Sequence, residues 1–159
     1  MKVGIYSRER MEELLSKGPL ENTAVISFCD PPRRRRHMYE EVVPIDYSAT
    51  CDYVMQIRLH DLDPEALSEV GLTVERYFPE ADALAAFIYR AREEGREILC
   101  QCEYGQSRSA GCAAAILEHF EGRGIDVFAD YRYYPNQLVY HKVFDALGRY
   151  RDGADAQLP

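Results

Sequence analysis

Short, mostly apolar runs alternate along this chain with longer stretches in which apolar residues return every three or four positions. Lys2–Tyr6, Thr23–Phe28, the segment opening at Tyr53 and Glu97–Gln101 are of the first kind and predict buried strands. Met11–Lys17, Glu80–Glu94, Ser109–Phe120 and the stretch after Asn136 are of the second kind and predict helices. The clearest is Glu80–Glu94: Leu84, Phe87, Ile88 and Ala91 share one face, Pro79, Glu80 and Asp82 favour the start, and Gly95 ends it. In the last stretch Tyr140, Val143, Phe144 and Leu147 form the stripe, with Asn136 as N-cap and Gly148 as stop. Gly18 with Pro19, and Gly122 with Gly124, mark further breaks, and Pro64–Glu69 suggests a short helix. This alternation predicts an α/β domain with a central, mainly parallel sheet flanked by helices on both sides. Residues 1–150 read as a single domain and 151–159 as a flexible C-terminal tail.

Residues 30–52 break the pattern. They are rich in Pro, Arg and Tyr without periodicity, a long connection of the kind that usually lines a site. Within it Arg33 to Arg36 form a run of four arginines after Pro31 and Pro32. Two readings stay open: a patch beside a binding site that recruits an anionic substrate, or an exposed, mobile basic loop.

Composition narrows the class. A length of 159 residues suits one sizeable core, and 47% hydrophobic with 29% charged residues is ordinary for a globular protein. No apolar run approaches a membrane span and no secretory leader is apparent, so the expected location is cytoplasmic. A net charge of −8 argues against a broad nucleic-acid surface. The five cysteines, Cys29, Cys51, Cys100, Cys102 and Cys112, are odd in number and read as free thiols. Cys100 and Cys102 lack the second Cys or His pair of a zinc site, so no metal is expected. Cys29 and Cys100 are candidates to trap an oxidised Cys102.

The chemistry concentrates in Cys102 to Ser109, CEYGQSRS. A thiol, a glycine-containing turn, a guanidinium and a hydroxyl follow one another between a strand and an Ala-rich helix. Such a loop points its N–H groups and a helix N-terminus at one place, which attracts an anion. A free thiol has a pKa near ~8.5, and a helix N-terminus with nearby cations lowers it to roughly 3.5 to 7.5. Arginine grips two phosphate oxygens at once, as lysine does not.

In these residues the chain resembles the cysteine-dependent protein tyrosine phosphatases, of the small dual-specificity type. Their signature is a catalytic Cys, five residues, Arg, then Ser or Thr, filled here by Cys102, Arg108 and Ser109. The resemblance implies a phosphomonoester hydrolase acting through a phosphocysteine, with no cofactor. Glu103, Tyr104, Gly105, Gln106, Ser107 and Arg108 would then form the phosphate-binding loop, and Ser109 would donate to the sulfur when the phosphoenzyme breaks down. Such an enzyme also needs an acid for the leaving group, which in related phosphatases follows a strand upstream of the cysteine. Asp61 fits best; Asp63 is second, since it precedes Pro64 and could cap the short helix instead.

Three residues depart from the pattern or await a role. Gln101 stands where the family usually has His. Glu103 either turns outward, pairs with a loop backbone group, or orients a water, and Gln106 could do the last. The expected partner is a phosphorylated protein or a small phosphorylated molecule. Alternatives are a phosphate-binding module that has lost turnover, which would hold phosphotyrosine or an inositol phosphate, and a sulfurtransferase.

Overall fold

The computed structural model describes residues 1–155. Four strands form a parallel sheet: β1 (Val3–Tyr6), β2 (Thr23–Cys29), β5 (Val54–Arg58) and β6 (Glu97–Gln101), in the order β1-β6-β2-β5. Every position of central β2 is buried, because both faces of the sheet are covered. That is why apolar residues fall on both faces of this strand, with Thr23 and Ser27 buried among them.

Alternation divides the two faces. Ala24, Ile26, Phe28, Ile98 and Cys100 point into the main core, packed against α2 (Ala81–Glu93), α3 (Arg108–Glu121) and α5 (Gln137–Asp155). Val25 and Leu99 point the other way, toward Met11 of α1 (Arg8–Ser16) and toward Ile45, Tyr47 and Cys51 of the long connection. The expected α/β sandwich is therefore present, with three helices on one face and one helix plus a loop on the other. No helix among the described residues is long and apolar enough to cross a membrane.

Four expectations need correcting. The first helix starts at Arg8 rather than Met11, because the Ser7 hydroxyl accepts from the Arg10 N–H and caps it. The 30–52 connection contains an antiparallel hairpin, β3 (Arg33–Arg35) with β4 (Met38–Glu40), so the arginine run is part of a ribbon. Arg36 takes a left-handed conformation (φ 52°) in its turn. After the glycine break a short helix, α4 (Ile125–Phe128), follows, burying Val127 against Ala110 and Ala114.

The last correction is at Gly148, where α5 does not stop. A glycine in a helix interior costs about 1 kcal/mol. Contacts beyond it outweigh that cost: Arg149 binds Asp82 at 2.7 Å and the Tyr150 ring stacks on Tyr89 at 4.6 Å. Residues 151–155 of the expected tail are thus helical, and the rest of it lies outside the described residues.

Candidate active site

All four parallel strands end at one edge, and the loops leaving them meet there, the position at which open α/β sheets bind ligands. The β6–α3 loop is held from below by backbone. Cys102 N–H donates to Tyr6 O (3.2 Å), and Glu103 O accepts from Arg8 N–H (3.0 Å). Gln106 O accepts from Tyr134 N–H (2.8 Å), and Ser107 O from Gly111 and Asn136 N–H (2.8 and 3.1 Å). Gly105 (φ 66°) lies so close to β1 that a Cβ there would sit 2.5 Å from Ser7 N. With these carbonyls turned outward, the backbone N–H groups of residues 103–108 have no partner among the described residues.

Within this loop the Cys102 thiol is buried, 3.0 Å from Ser109 Oγ. Arg108 is 3% exposed. Its Nη1 donates to Leu59 O (2.7 Å) and pairs with Asp30 Oδ1 (2.7 Å), while its Nε is buried without a partner. Asp30 also binds Arg33 at 2.5 Å, which ties the hairpin to the loop through one carboxylate. Burial pushes the Asp30 carboxyl up, but Arg108 and Arg33 outweigh it and hold the group below the ordinary value.

Arg108 forms the floor of an open cleft of about 630 Å³, walled by Asp30 and Arg33 on one side and by His60 and Asp61 on the other. Glu103 and Tyr104 stand exposed on its rim. Asp61 Oδ1 accepts from Ser107 Oγ (2.6 Å) and Asn136 Nδ2 (2.9 Å), leaving Oδ2 free. Asp63 lines a neighbouring depression instead; it occupies the N-cap position of the 3₁₀ turn Pro64–Val70 but makes no capping bond. Gly105 is buried and Gln106 is exposed. The structure thus brings Cys102, Arg108, Ser109, Ser107 and Asp61 together and leaves Asp63 apart.

Gln101 has a defined place beneath Cys102. Its Oε1 accepts from the Ser27 hydroxyl (2.5 Å) and Tyr47 OH (3.2 Å), which turns Nε2 toward the Cys102 carbonyl (2.9 Å). Burial pushes the Tyr47 phenol up to about 12, so it stays protonated. Cys100 is held well above its ordinary value by its hydrogen bond with Cys112 and by burial, and all five cysteines are free.

Asp30, Asn136, Ser27 and Tyr47 are contributors that the sequence did not reveal. Asn136 was read only as a cap, and it does cap: Oδ1 accepts from Val139 N–H at 2.9 Å. Its other end holds Asp61. For Asp30, the available signal was its position directly after a buried strand at the ligand-binding edge.

No protein-family model matches the chain, and no curated protein matches it in sequence. Solved structures do resemble it in fold. DUSP15 superposes with a TM-score of 0.58 at 14% identity, covering 99% of this chain and 92% of that one. Human DUSP28 gives 0.52 at 15%, covering 95% and 94%. A human tyrosine phosphatase-like serine/threonine/tyrosine-interacting protein gives 0.53 at 16%, covering 91% and 87%. The chain therefore has the fold of the small dual-specificity phosphatases over nearly its whole length.

Proposed function

We propose that the protein hydrolyses phosphate monoesters through a phosphocysteine intermediate. One observation carries this reading: in the loop after Cys102 the N–H groups of residues 103–108 find no acceptor among the described residues, and Arg108 Nε is buried without one. Buried donors are normally paired. A phosphoryl group has the oxygens and the charge to satisfy them all.

In the first step Cys102 Sγ attacks phosphorus, the S–P bond forms and the ester P–O bond breaks. The proton for the departing oxygen comes from Asp61, which lines the cleft and whose Oδ2 takes no hydrogen bond among the described residues. Arg108, with Nη1 fixed by Leu59 O and Asp30, offers Nε to the equatorial oxygens. In the second step a water attacks phosphorus, the Asp61 carboxylate takes its proton, and phosphate leaves as the thiolate is restored. Ser109 Oγ, 3.0 Å from the sulfur, donates to it as it departs. No step needs a metal.

The test is phosphate release from p-nitrophenyl phosphate by wild type and by Cys102→Ser. Turnover by wild type with its loss in the variant is expected. Equal activity in both would sink the proposal, and tight phosphate binding without turnover would favour a binding module.

A further inference from the structure

A second depression of about 690 Å³ lies on the α5 side of the phosphate loop, with Ser107 in its lining. Tyr131 and Tyr134 form one wall, Asp63 and Glu65 another. Backbone joins it to the phosphate loop: Tyr134 N–H donates to Gln106 O, and Asn136 N–H to Ser107 O. The Ser107 side chain links the two, since it lines the depression while its hydroxyl binds Asp61 of the cleft. A group held here would lie beside the loop that would hold a phosphoryl group.

The chemistry of the walls selects the occupant. Tyr131 and Tyr134 are 89% and 74% exposed, so their rings are open to a ligand. The Asp130 carboxylate beside them is taken by Arg132 at 2.6 Å, whereas Asp63 and Glu65 make no ion pair among the described residues. Open aromatic faces beside free carboxylates suit a guanidinium or ammonium: the rings attract the cation and the carboxylates bind its N–H groups. They disfavour a second phosphate. On the opposite wall of the cleft Arg33 of the hairpin is paired with Asp30.

Resting on the phosphatase reading above, we propose that this depression is a specificity site that takes the Arg or Lys side chain of a phosphopeptide, next to its phosphorylated residue. The substrate class is then a phosphoprotein segment with a basic flank. An inositol polyphosphate or an acidic phosphopeptide would meet Asp63 and Glu65 unfavourably.

The experiment compares phosphotyrosine peptides that differ only in carrying Arg or Glu at the flanking positions. Wild type should favour the Arg peptides about 5- to 10-fold in kcat/KM, mostly through KM, and the preference should shrink with added salt. The exposed variants Glu65→Gln and Tyr131→Ala, combined, should lose it while hydrolysing p-nitrophenyl phosphate as wild type does. Equal kcat/KM for the two peptides, a preference for Glu, or a preference that survives the double variant would overturn the inference. Peptide binding to Cys102→Ser reads the same preference without turnover, so failure of the specificity site is distinguishable from failure of the catalytic reading.

Discussion

Between β6 and α3 the chain turns within residues 102–107, and backbone bonds from β1, α1 and the start of α5 fix that turn on several sides. Between β2 and β5 it runs through residues 30–53 at the same edge, and there the contact with the site is made by side chains: Asp30 on Arg108, and Arg33 on Asp30. The short loop presents donors whose positions cannot vary without moving the sheet. The long one presents exposed charges on a two-stranded ribbon that touches the frame at few points. Handling a phosphoryl group needs the first kind of construction, since the group is always the same.

The sharpest way to break this contrast is Arg108→Lys. An ammonium cannot bind Leu59 O and Asp30 while also offering a planar fork to the oxygens, so kcat on an aryl phosphate should fall by about 10²- to 10³-fold with the fold retained in circular dichroism. Near-wild-type kcat would show that the geometry of the short loop is not what holds the phosphoryl group.

A smaller effect probes the junction between the two regions. Because Asp30 is held below its ordinary value in the folded protein, its ion pairs stabilise above about pH 3.9, the unfolded value, and the contribution is lost as pH falls through the lowered native one. Asp30→Asn should therefore unfold more easily than wild type at neutral pH, and the two denaturation curves should converge in acid. A gap independent of pH would mean that the pairing with Arg108 contributes nothing. The smallest effect belongs to the ribbon itself: Arg34→Ala, exposed and without an ion pair among the described residues, should change stability by no more than about 0.5 kcal/mol. A loss well above that in urea denaturation would make the hairpin part of the frame.

The same contrast explains what could be read in the sequence. Cys102 to Ser109 is legible because the parts of its chemistry are contiguous and a strand and a helix flank them in order. Asp61 and Asp63 both follow β5, and the sequence alone did not show that they line different depressions. The Asp30–Arg108 pair, the Asn136–Asp61 bond and the Tyr47–Gln101 contact join residues far apart in the chain, and no local pattern encodes them. The hairpin was hidden because arginines exposed to solvent carry no apolar alternation. Gly148 was misread because local propensity yields to the packing of Tyr150 and the pairing of Arg149 beyond it.

Gln101 gives the site a property that its neighbours on the surface do not share. A histidine at that position would change charge between roughly pH 5 and 8; the amide cannot, and the hydroxyls of Ser27 and Tyr47 that orient it keep their protons over the same range. The foundation under Cys102 is therefore proton-silent. Between roughly pH 5 and 8, acidity leaves the charge of the support beneath the sulfur unchanged.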